Sequence, residues 1–170
     1  MKLIEAMKKV KENKEKILDL QKKISENCAH LNIETPLYPD AEQKVISWAQ
    51  SCEDLTQENI RLLTSIQRTN LQTVVDITLG DKTVSKNVAE WVWRRREYAA
   101  IDLNTYNKMT DRGLSEGKGR SSTGVDLDLK IVRKYNPETR DKKIMMFKSE
   151  PFAIDAKLEV INAITDLIES

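Results

Sequence analysis

The chain has 170 residues, 39% hydrophobic and 32% charged, a length that suits about one domain. Its 28 Lys and Arg and 27 Asp and Glu leave a net charge of +1, which excludes a histone-like binder or an acidic tail. Five Gly, two Cys and 5% aromatics exclude a collagenous or disulfide-stapled scaffold and point to long amphipathic helices over a thin core.

No apolar run approaches the ~18 residues a transmembrane helix needs. The opening Met1–Lys9 alternates charged and apolar residues without the continuous apolar stretch of a signal peptide. A single helical domain over 1–170, in a reducing cytoplasm and without a membrane partner, is expected.

Residues 2–32 place Leu3, Met7, Val10, Ile17, Ile24, Cys28 and Leu31 at heptad steps, with Lys14 and Gln21 in the two remaining seam positions. A spacing of 3.5 residues keeps one stripe against a partner helix, the coiled-coil condition. Pro36 and Pro39 end this helix, and Asp40 suits the N-cap of the next. Val45, Trp48, Cys52, Leu55, Leu62 and Ile66 then form a second stripe to about Asn70. The short connection predicts an antiparallel helical hairpin over 2–70. Both cysteines fall on these stripes, where a reduced thiol acts as a small hydrophobe.

The β-branched run from Thr73 to Leu79, the Gly80-Asp81 turn and Lys82-Thr83-Val84 predict a β element over 73–84. Ser85 is a candidate cap for a helix over 86–109, with Val88, Trp91, Val92, Ala99, Leu103 and Tyr106 inward. Residues 110–124 hold four of the five glycines and read as a mobile loop. Alternation from Val125 to Ile131 predicts the second part of the β element, 125–133. Asn136-Pro137 caps a last helix over 137–169, kinked at Pro151. The fold class is mainly α: long antiparallel heptad helices, a coiled-coil-like bundle, with a small β element.

Several short motifs run through this pattern: Met1-Lys2-Leu3 with Glu5-Ala6, then Ile66-Gln67-Arg68-Thr69-Asn70 and Thr73. They continue with the Gly80–Thr83 segment leading to a helix that contains Ala89, and Ile161-Asn162-Ala163. Together they resemble the small helical bacterial and phage proteins of the septicolysin-like family. The chain departs from that pattern in the order Gly80-Asp81 and in a longer 110–124 loop. The resemblance implies a fold and an oligomeric habit, not an activity, and the composition does not support membrane attack.

Enzyme chemistry finds little footing. His30 is the single histidine, near the end of a lysine-rich helix and with no Cys or Ser partner in a catalytic spacing. Neither Cys nor His spacing matches a metal site. No cofactor is expected. Asp126 and Asp128 read as the solvent face of an alternating strand. Gly117-Lys118-Gly119 followed by Arg120, Ser121, Ser122 and Thr123 departs from the Walker spacing, yet Lys118 and Arg120 beside exposed backbone N–H groups are generic anion-binding chemistry.

The sharper feature is Glu90–Tyr98. Trp93, Arg94, Arg95, Arg96 and Tyr98 crowd one helix, where guanidinium planes bind phosphate and an aromatic face stacks on a base. The plainer reading is ion pairing of these arginines with acidic neighbours. Arg68 adds one further anion contact, and Arg133, Lys134, Arg140, Lys142 and Lys143 form a basic stretch. With near-neutral net charge these clusters suit a small anionic ligand better than a duplex. Three readings follow: a non-enzymatic homo-oligomer, dimer or higher, holding a phosphate-bearing, nucleotide-like ligand; a structural or assembly protein without ligand, of a phage particle for example; and a weak nucleic-acid binder.

Overall fold

The computed structural model describes residues 1–169. It is mainly α with two small two-stranded sheets. The chain divides into two compact units. The first comprises Met1–Val74, Asn87–Ala89 and the chain from Leu158 onward; the second comprises Val75–Lys86 and Glu90–Lys157.

The first unit is built on α1 (Leu3–Asn27) and α2 (Ala41–Gln72). Glu5 accepts a 2.7 Å bond from the Lys2 N–H and so satisfies one free donor at the start of α1. Asp40 stands at the N-cap of α2, but its carboxylate makes no capping bond and instead lies 3.8 Å from Lys44. The helices run antiparallel, with Asn13 bonded to Asn59 and Cys52 beside Ile17.

The shielded positions of α1, apart from Lys9 beside Val10, are Leu3, Ala6, Val10, Asn13, Ile17, Leu20, Ile24 and Asn27. Steps of three and four therefore hold, but every second position falls one residue before the expected one. Met7, Lys14, Gln21 and Cys28 are exposed and off the seam, and Leu31 lies exposed beyond the helix. The physical reason is Asn13. It is 1% exposed and donates 2.8 and 3.1 Å bonds to Glu58 and Asn59, so a satisfied amide fills the place expected of Lys14. On α2 the expected positions Val45, Trp48, Cys52, Leu55, Leu62 and Ile66 are all shielded, with Asn59 and Thr69 completing the series.

Leu3, Ala6, Val10 and Ile66 form the buried cluster, joined by Leu62 and Leu167. The segment 165–169, expected as the end of the last helix, is not helical. It closes on the start of α1 through Leu3 N–H to Thr165 O and Leu167 N–H to Met1 O, at 2.9 and 2.8 Å. Lys2 also pairs with Asp166 at 2.8 Å.

The strands β1 (Val74–Leu79) and β2 (Lys82–Asn87), which belong to the second unit except for Val74 and Asn87, form a hairpin. Gly80 takes φ +65° at the first of two turn positions, the place a type II′ turn gives to glycine. Val75 and Ile77 point inward between exposed neighbours. Ser85 belongs to β2 and is not a helix cap, because pairing continues to Asn87. The helix that follows has three parts: α3 (Val88–Trp93), a π-helical segment Arg94–Tyr98, and α4 (Ala99–Asn107).

The expected loop 110–124 contains β3 (Gly117–Arg120), which pairs antiparallel with β4 (Asp126–Leu129). The two expected β pieces are thus separate hairpins. In α5 (Pro137–Ile164) the Asn136 side chain caps Thr139 N–H at 3.1 Å, and Pro151 lies inside the helix.

Candidate functional site

The arginine-rich segment is where the helix leaves α geometry. Ala99 N–H reaches back five residues to Arg94 O. A π turn adds one residue to the local repeat and is frequent at functional sites. Here it lets Trp91 and Ala99 both stay buried on either side of five residues that are not. Trp91 anchors the segment by donating from its indole N–H to Val75 O at 2.9 Å.

Arg94 forms a fork–fork pair with Glu150, both bonds 2.8 Å, and a third bond of 2.6 Å to Asp102. Glu150 is fully buried, so its charge depends on this guanidinium. The bonds to Glu150, and behind them those to Asp102, raise the Arg94 pKa against the opposing effect of burial. Phe147 adds a ring 5.8 Å from the same guanidinium.

Arg95 pairs bidentately with Asp155 at 2.8 and 3.0 Å, both groups at the surface. That hydrogen bonding holds the Asp155 carboxyl below its ordinary range. Arg96 is exposed and makes no ion pair among the described residues. Trp93 and Tyr98 are half-exposed and line an open groove of about 360 Å³ with Lys86, Glu90 and Arg94. The segment thus presents aromatic surface and one unengaged guanidinium, while two arginines hold carboxylates of their own chain.

The remaining expected residues do not gather there. Arg68 belongs to the first unit and donates to Glu169 O at 3.2 Å. Lys118 and Arg120 lie on β3, opposite Asp128 and Asp126, with Arg120 3.5 Å from Asp126. No hydrogen bond or ion pair joins them to the arginine segment among the described residues.

The basic stretch splits by role. Arg133 grips Asp111 with bonds of 2.7 and 2.6 Å, and Tyr135 adds 3.2 Å. Arg133, chiefly by hydrogen bonding, holds the Asp111 carboxyl low. Arg140 bonds Asp141, Met109 O and the Tyr135 hydroxyl. Lys142 and Lys143 instead line a larger groove of about 730 Å³ together with Lys82. Lys82 has no signal in the sequence, because it lies some sixty residues away and the topology alone brings it there. Glu150 was missed for the same reason.

No family model matches the chain, and no curated protein matches it significantly. A crystal structure of a functionally unknown conserved protein from Corynebacterium diphtheriae is similar, with a TM-score of 0.58 and 19% identity over 99% of each chain. The likeness shows the fold alone. Among the described residues no helix is long and apolar enough to cross a membrane, and no three His, Cys, Asp or Glu side chains are grouped to hold a metal ion.

Proposed function

We propose that this protein is a non-enzymatic, self-associating helical protein whose α1–α2 hairpin is a coiled-coil assembly element. One observation carries this reading: Ile4, Met7, Ile60 and Leu63 are 45%, 37%, 52% and 41% exposed. Each follows a shielded seam residue by one position, namely Leu3, Ala6, Asn59 and Leu62. At 100° per residue that places all four on the same rotational side of the seam. In an antiparallel pair these two sides form one face. The pairing of Asn13 with Asn59 brings the start of α1 level with the end of α2, so the four side chains gather at one end of the hairpin.

The segment 165–169 takes up the edge bearing Lys2 and Arg68, and this apolar face is left open. A second copy of the hairpin is the occupant we assign to it, giving a dimer or a higher closed form. The intrachain pairing of Arg94 and Arg95 favours the structural reading of that helix over a ligand role. The septicolysin-like resemblance agrees with an oligomeric habit. Native mass spectrometry of the purified chain tests the reading: a dimer or larger at micromolar concentration is expected, and a monomer throughout would sink it.

A further inference from the structure

We propose that the groove between the β1–β2 turn and the first half of α5 binds a small phosphate-bearing molecule of nucleotide size. The inference is independent of self-association, since every residue it uses belongs to the second unit.

The groove encloses about 730 Å³ and is lined by Lys82 from the start of β2 and by Thr139, Lys142, Lys143, Met145 and Met146 from α5. Positions 139, 142, 143 and 146 follow helical steps of three and four, so they share one face of α5. That face meets a strand start fixed by the tight Gly80-Asp81 turn. The volume falls within the usual range for small-ligand sites, about 300–1,000 Å³.

Three lysines thus line one groove, and none makes an ion pair among the described residues. Asp81 is the single carboxylate in the lining. The neighbouring arginines behave differently: Arg133 and Arg140 are held by Asp111, Asp141 and the Tyr135 hydroxyl. The groove's lysines therefore differ from the arginines beside them, which have partners of their own. A duplex needs several phosphate contacts in a line, whereas one di-anionic or tri-anionic head needs only this cluster. Lysine is a compact point charge that serves phosphate without demanding a fork geometry.

The remaining wall is apolar. Met145, largely exposed, and Met146 supply it. An adaptable thioether surface beside the cations suits the flat or apolar body that carries the phosphate. The Thr139 hydroxyl supplies a neutral donor on the same face. A nucleoside diphosphate meets both demands.

The test is isothermal titration of the full chain with ADP, inorganic pyrophosphate, a single-stranded oligonucleotide and phosphatidylserine vesicles. ADP and pyrophosphate are expected to bind, with Lys82→Ala, Lys142→Ala and Lys143→Ala each weakening ADP by about tenfold or more. Lys148→Ala, outside the groove, should leave it unchanged, and circular dichroism should show all four variants folded. No heat with ADP would overturn the proposal, as would equal affinity in the Lys142→Ala/Lys143→Ala double variant. Binding confined to the oligonucleotide or to the vesicles would replace it with a nucleic-acid or membrane surface.

Discussion

At the scale of single residues, the arginines that look alike in sequence do different work. Arg94 neutralises a fully buried carboxylate, whereas Arg95 meets its partner in solvent. Removing one member of a buried pair leaves an uncompensated charge and costs about 3–5 kcal/mol. Arg94→Met should therefore lower stability to urea by that order, while Arg95→Ala should leave the unfolding midpoint unchanged; equal effects would contradict the assignment. The surface pairs also set an acid response. Arg95, Arg133 and Lys2 hold Asp155, Asp111 and Asp166 below their ordinary values. A depressed carboxyl contributes stability that is fully present above the unfolded value of ~3.9 and is lost as pH falls through the lower folded value. Carboxyl resonances of these three aspartates should accordingly titrate below the ordinary carboxylate range, and midpoints within that range would count against the pairs. None of the partners was legible locally. Asp102, Glu150 and Asp155 are ordinary helix residues until the fold sets them against the arginines.

At the scale of elements, the hairpin was legible and its phase only half so. Leu3, Val10, Ile17 and Ile24 stand on the seam in either phase, and at the alternate positions hydropathy favours Met7 over Ala6. Hydropathy cannot see that a small residue and a satisfied amide fit an inter-helix seam better than Met7 and Lys14. Asn13 reveals itself only through Asn59, 46 positions away. Such a buried polar pair commonly fixes register at some cost in stability. Asn13→Leu with Asn59→Leu should raise the melting temperature while broadening the distribution of oligomer masses; a less stable protein with a single mass would refute that role. The π segment was invisible for another reason: composition marks Arg94–Tyr98 as helix and cannot register one extra residue in a turn. Deleting Arg96 should convert the segment to regular α-helix, with Ala99 now four residues beyond Arg94 and still in its buried place. Little change in melting temperature is expected for the deletion and for Arg96→Ala, both read by circular dichroism; a large drop for the deletion would contradict the reading of the turn as one added residue.

At the scale of the whole molecule, strands are legible in the sequence where alternation is strong, as in β1 and β4, and not at β3. Gly117–Arg120 has no hydrophobic pattern and is a strand only because Asp126–Leu129 supplies a partner. The same limit governs the candidate sites. Sequence gathered cations by proximity along the chain, whereas the fold sorts them by partner, tying up Arg94, Arg95, Arg133 and Arg140 while Arg96 stays unengaged and Lys82, Lys142 and Lys143 line one groove. What the molecule exposes in consequence is an apolar hairpin face in one unit and a lysine-lined groove in the other. The central claim is that the first of these is an assembly surface. Sedimentation equilibrium of the wild type beside Ile60→Glu/Leu63→Glu tests it most directly, because both side chains are exposed and off the seam. The account predicts an oligomer for the wild type and a helical, folded monomer for the variant. An unchanged oligomer mass in a folded variant would contradict it.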